Sequence, residues 1–189
     1  MTEVPNPNII DADTLTGDMR PIRRAVIAIG SNLGERLASL QGAVDALADT
    51  PEVWITDISP VYETEPIGCP PGSENFLNAV VLIDTTMSSA RLMDRALAIE
   101  DAFDRVRDTG PNAPRTLDVD VISVGDRISS DAFITLPHPR VSERAFVLQP
   151  WLDVEPDATV PGIGLVADLL GKIDDQTISR RDDLVLELE

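Results

Sequence analysis

The chain has 189 residues, 43 % hydrophobic and 25 % charged, the balance of one ordinary globular domain rather than of a disordered chain. Its formal net charge of −18 argues against nucleic acid and anionic lipid as partners, and its single cysteine, Cys69, excludes an internal disulfide and a cysteine-based zinc site. No apolar run approaches the ~20 residues that span a bilayer, and the polar start is no secretory signal, so a cytoplasmic protein is expected.

Residues 1–23 show no periodicity and are expected to form a flexible leader. Residues 25–29 read as a buried strand, after which Ser31 or Asn32 is placed to cap a helix with the inner stripe Leu33, Leu37, Leu40, Val44 and Leu47. Residues 53–62 are β-branched and aromatic, a strand interrupted at Pro60, and a Pro/Gly loop follows over 65–73. Residues 76–86 form the next expected strand. Ser88 is placed to cap a second helix, with the stripe Leu92, Ala96, Ile99, Phe103 and Val106. A second irregular loop covers 108–114, a strand 117–124, a broken apolar piece 134–141, and short helical patterns begin at 145 and 165. The domain is expected over 24–175, with 176–189 as an acidic tail.

The order β-α-β-β-α-β implies an α+β fold: an antiparallel sheet carrying two helices on one face, the ferredoxin-like arrangement. An open parallel sheet would need a helix between every pair of strands, and residues 64–75 offer none.

The chemistry concentrates in Arg115-Thr116-Leu117-Asp118-Val119-Asp120. On a strand, Leu117 and Val119 face one way and Asp118 and Asp120 the other, with the two carboxylates roughly 6–7 Å apart at the level of Cβ. Such a pair suits one or two Mg²⁺ ions that also bind phosphate oxygens; a solvated strand face is the alternative in so acidic a chain. Eight of the fifteen basic residues fall between 91 and 144, and Arg105, Arg107 and Arg115 bracket the second loop. The lone lysine, Lys172, lacks the context of a P-loop, so any polyphosphate would be held by arginine. A second cluster, Thr64, Glu65, Ile67, Phe76, Asn78 and Phe146, could build a flat pocket whose aromatics stack on a ring and whose amide reads its edge; core packing is the alternative for both phenylalanines. Asn78 interrupts an apolar run and needs partners if buried. His138, between Pro137 and Pro139, belongs to a loop.

With these motifs in order, residues 25–160 resemble the 6-hydroxymethyl-7,8-dihydropterin pyrophosphokinases of folate biosynthesis. The matching pieces are Ala28-Ile29-Gly30-Ser31-Asn32-Leu33-Gly34, Tyr62-Glu63-Thr64-Glu65-Pro66-Ile67-Gly68 and Phe76-Leu77-Asn78-Ala79, followed by Glu100 and Arg105-Val106-Arg107. Pro114-Arg115-Thr116-Leu117-Asp118-Val119-Asp120, Leu136-Pro137-His138-Pro139 and Arg144-Ala145-Phe146-Val147-Leu148 complete the set. The resemblance implies a three-layer α/β/α sandwich on a ferredoxin-like core, and transfer of the pyrophosphoryl group of ATP to the pterin hydroxymethyl group with release of AMP. It implies two Mg²⁺ ions on Asp118 and Asp120, and Arg105 and Arg115 stabilising the transferred group. It assigns Glu100, Arg107, Arg115, Thr135, His138 and Arg144 to ATP, and Thr64, Glu65, Ile67, Phe76, Asn78 and Phe146 to the pterin. Asn112 and Ala113 stand where the family usually has an aromatic residue and a glycine. A monomer is expected. In some members the domain follows a dihydroneopterin aldolase in one chain, and the leader would then be the remnant of a linker. Two competing readings are a ferredoxin-like binding module without turnover, which has no need of paired metal carboxylates, and an Asp-x-Asp glycosyltransferase, which needs a larger nucleotide-sugar domain.

Overall fold

The computed structural model describes residues 20–66, 69, 71–103 and 116–188. β1 (Arg23–Ser31) lies inside the main sheet, antiparallel to β4 (Phe76–Thr85) on one side and to β5 (Asp118–Val124) on the other. The far edge of β4 is shared by β2 (Val53–Ile58), opposite residues 81–85, and β3 (Tyr62–Thr64), opposite residues 76–78. The break between them falls at Ser59-Pro60, as expected of a residue with no N–H to donate. There Ser59 keeps β4 satisfied with its side chain: its Oγ accepts the Val80 N–H at 2.8 Å.

β1 and β4 are largely apolar because both faces of the sheet are covered. On one face Ala25, Ile27, Ile29, Val81 and Val119 pack against Leu40, Val44 and Leu47 of α1 (Arg36–Ala48) and Leu92, Ala96 and Ile99 of α2 (Ser89–Ala102). On the other face Val26, Ala28, Val80, Leu82 and Ile122 pack against Val147, Leu148 and Trp151 of α3 (Ala145–Val154) and Val166 and Leu169 of α4 (Val166–Leu170). The Phe103 ring, at the end of α2, lies against α1 because Gly42 has no side chain: a Cβ there would lie 2.3 Å from that ring. Small antiparallel pairs, β6 (Ser129–Ser130) with β7 (Thr135–Leu136) and β8 (Thr159–Val160) with β9 (Gly164–Leu165), link the later elements.

Ser88 caps α2 as expected, its side chain accepting the Arg91 N–H. The start of α1 differs from expectation. Glu35 occupies the N-cap position without a side-chain bond, and Leu33 is exposed, ahead of the helix rather than on its inner stripe. The Asn32 amide is used elsewhere, donating to the Glu74 carbonyl at 3.4 Å, and Arg36 donates to the Asn75 carbonyl at 2.6 Å. The motif after β1 therefore holds the entry to β4 in place.

The acidic end also departs from expectation. Residues 176–188 do not stand apart from the domain: β10 (Ile178–Arg180) extends the main sheet by pairing with β3, and Leu184 and Leu186 pack on the core. Strand pairing uses backbone groups, so an acidic composition does not forbid it. The charges are balanced locally, with Glu63 receiving Arg36 at 3.0 Å and Arg181 at 2.5 Å. Burial alone would raise the Glu63 carboxyl, but hydrogen bonds from these two guanidinium groups outweigh it and hold the group below its ordinary value. Tyr62 ties β3 to α3 by donating to Asp153 at 2.6 Å; burial first, then that bond, pushes its phenol up to about 12.

Candidate active site

Strand alternation sets the centre of the site. Leu117, Val119 and Val121 are buried in the core, so Asp118 and Asp120 point to the opposite face, where both line a cavity of about 350 Å³. Register places Asp118 across from Gly30 and Asp120 across from Ala28. Behind the strand, fully buried Glu100 accepts the N–H of Val119 at 2.9 Å, pinning the residue between the two aspartates.

The loop before α3 supplies the cations. Arg144 donates through Nη1 to Asp120 Oδ2 at 2.7 Å, and its guanidinium lies 5.6 Å from the centroid of the Phe146 ring. His138 is fixed by backbone: its N–H donates to the Ile122 carbonyl at 2.8 Å, and its Nδ1 accepts the Arg140 N–H at 3.1 Å. The acceptor at Nδ1 puts the proton of the neutral ring on Nε2, which lies 3.9 Å from Asp120 Oδ2. Burial lowers the imidazole below its ordinary range, outweighing the attraction of Asp120.

The other end of the cavity is built on β1, β3 and β4. Asn78 is buried, and its amide donates to Thr64 Oγ1 at 2.9 Å, which gives the polar interruption of β4 a partner. Gly30 backs this amide so closely that a Cβ would sit 3.0 Å from Asn78 Oδ1. Phe76, Glu65, Cys69 and Phe146 complete the wall. Gly30→Ala is expected to leave the fold standing and to push the Asn78 amide aside by a few tenths of an ångström. Affinity for a ligand that the amide reads should then fall several-fold, measured by titration.

The residues singled out in the sequence therefore separate into three sets. Thr64, Glu65, Phe76, Asn78, Asp118, Asp120, Arg144 and Phe146 share the cavity. Glu100, His138 and Thr135 do not line it: Glu100 reaches β5 from behind, His138 lies beside Asp120, and Thr135 is exposed with its hydroxyl donating to the Asp131 carbonyl at 3.4 Å. Ile67, Arg105, Arg107 and Arg115, with Val106 of the expected helix stripe, lie outside the described residues. Sequence reasoning missed Asp175, Gln176, Thr177 and Ile178, which form a further wall. Their only signal was Ile178, an apolar residue in a polar stretch.

Residues 26–156 match the family model described as 7,8-dihydro-6-hydroxymethylpterin-pyrophosphokinase. The chain belongs to this family. A relative from Methylorubrum extorquens, named 2-amino-4-hydroxy-6-hydroxymethyldihydropteridine pyrophosphokinase, is 40 % identical over 157 residues, covering 83 % of this chain and 98 % of its own. Relatives of the same name from Pseudomonas aeruginosa and Mycobacterium leprae are 36 % and 43 % identical, covering 84 % and 75 % of this chain and 97 % and 76 % of theirs. Among solved structures, Plasmodium falciparum HPPK-DHPS superposes with a TM-score of 0.64 at 12 % identity, over 82 % of this chain. At that identity the likeness concerns the α+β fold, and the chain spans 45 % of the length of that protein. The cavity is thus the candidate active site of a pyrophosphokinase.

The donors present fit a hard divalent cation: two carboxylates on one face of a strand, opening into one cavity. Among the described residues no group of three or more His, Cys, Asp or Glu side chains gathers as a metal site. A hard cation held by this pair would complete its shell with further oxygen ligands.

Proposed function

We propose that the protein transfers the pyrophosphoryl group of ATP to the hydroxymethyl group of 6-hydroxymethyl-7,8-dihydropterin in folate biosynthesis. The pterin hydroxyl oxygen attacks the β-phosphorus, the bond from that phosphorus to the α,β-bridging oxygen breaks, and AMP leaves. The observation that carries this reading is one cavity lined at one end by Asp118 and Asp120 and at the other by the buried Asn78 amide. Asn78, Thr64, Glu65 and Ile67 would read the polar edge of the pterin, with Phe76 and Phe146 against its ring. Arg144, His138, Thr135 and Arg107 would serve ATP, and Glu100 would act on it through β5. Arg105 and Arg115 would stabilise the transferred group.

Asp118 and Asp120 would hold two Mg²⁺ ions, which when bound neutralise charge on the phosphate oxygens. The Arg144–Asp120 pair supports this assignment, since it orients a half-buried carboxylate beside the cavity. The strand order β5-β1-β4-β2 and the helices on both faces support a three-layer sandwich on a ferredoxin-like core. The reading carries with it a monomer in the cytoplasm. Among the described residues no helix is long and apolar enough to cross a membrane. A relative named folic acid synthesis protein fol1, from Schizosaccharomyces pombe, is matched over only 18 % of its length, which supports a link between such domains and other folate enzymes.

Incubation with ATP, Mg²⁺ and the hydroxymethyl dihydropterin is expected to yield AMP that depends on the pterin, resolved by chromatography. Formation of ADP would mean attack at the γ-phosphorus and a different reaction.

A further inference from the structure

Residues 175–178 lie beyond the family match, yet they form one wall of the cavity that holds Asp118, Asp120 and Asn78. They reach it because β10 pairs with β3 and sets Ile178 opposite Thr64. Gln176 is half-buried there and makes two hydrogen bonds to backbone. Its Oε1 accepts the N–H of Ala145 at 3.1 Å, and its Nε2 donates to the carbonyl of Glu143 at 2.7 Å.

These two backbone groups flank Arg144. The N-cap position of α3 is Arg144 itself, which makes no side-chain cap bond, so one of the helix's open N–H groups is satisfied from 31 residues away. The same short stretch launches both functional side chains: Arg144 runs to Asp120, and Phe146 sits against the Arg144 guanidinium. Few side chains could bridge a donor and an acceptor on either side of one residue; a primary amide can, because it offers both.

We propose that Gln176 is a positioning residue, whose amide locks the Glu143–Ala145 backbone so that Arg144 and Phe146 enter the cavity in the orientation substrate binding requires. This rests on the pterin and ATP reading of the cavity. The C-terminal segment is then a working part of the substrate site.

Gln176→Met keeps the volume and removes both bonds, whereas Gln176→Glu keeps an acceptor for the Ala145 N–H and loses the donor. Titration with 6-hydroxymethylpterin, followed by fluorescence, should show affinity about tenfold weaker in Gln176→Met, the scale of two modest hydrogen bonds, with a smaller loss in Gln176→Glu. A purely structural effect would lower the melting temperature without touching particular side chains, so a double-mutant cycle with Phe146→Ala decides. If Gln176 acts through Phe146, adding Gln176→Met to Phe146→Ala should weaken pterin binding little further. Unchanged affinity in Gln176→Met, or losses that multiply independently, would overturn the proposal. Should Gln176→Met fail to fold, the cycle is run with Gln176→Glu under the same criteria. Wild-type protein that binds no pterin at all would sink the functional reading as well, whereas wild-type binding matched by the variants sinks the role of Gln176 alone.

Discussion

Asp118→Asn is expected to lower turnover at saturating ATP by on the order of 10²–10³-fold or more while leaving the fold intact. The carboxylate faces the cavity and its strand neighbours carry the packing, so an isosteric amide removes charge without opening the core. Asp120→Asn should be as damaging to turnover and costly to stability. It gives up a charge-assisted bond of 2.7 Å to Arg144, whose side chain is only 16 % exposed. A loss of about 1–3 kcal/mol follows from weakening such a pair. Urea melts would report that cost, and quenched-flow assays over a range of Mg²⁺ the activity of both variants. A near-normal rate for Asp118→Asn at limiting Mg²⁺ would refute the metal role.

Glu100→Ala carries the second large effect. It removes the acceptor of the Val119 N–H, a buried backbone donor between the two aspartates. Leaving such a donor unsatisfied costs about 1–3 kcal/mol. Because β5 positions both carboxylates, a shift of about 1 Å could lower turnover by on the order of 10²-fold. Glu100→Gln retains an oxygen for Val119 and should be milder in both respects. The decisive comparison is ATP affinity against stability. If Glu100→Ala melted like wild type and lost only ATP binding, Glu100 would be a direct ligand rather than a brace behind the strand.

How far the sequence is legible can be judged from these same residues. Alternation of Leu117, Asp118, Val119 and Asp120 needed no structure, since the strand pleat alone sends the aspartates to one face. Asn78 was equally readable: a polar residue inside an apolar strand must find a partner, and it found Thr64. Glu100 was marked by the family resemblance alone, and helix spacing does not say which neighbouring backbone group a carboxylate meets. The cap expected at Ser31 or Asn32 does not form: a short amide serves a helix end or a distant carbonyl equally well, and the loop that placed Glu74 nearby decided for Asn32.

By itself the sequence determined the order of the main strands and helices, the paired carboxylates and the family, since each depends on local spacing or on residue type. The tertiary structure decided what depends on pairing between distant segments. It brought the β5 carboxylates and the β4 amide to a single cavity, because β1 separates the two strands and its small residues Ala28 and Gly30 leave the space between them open. It also turned an acidic tail into a strand beside β3 and a wall of the site. Backbone hydrogen bonds between residues more than a hundred positions apart leave no periodic trace in the chain, so only the folded sheet could reveal that Gln176 reaches the residues on either side of Arg144.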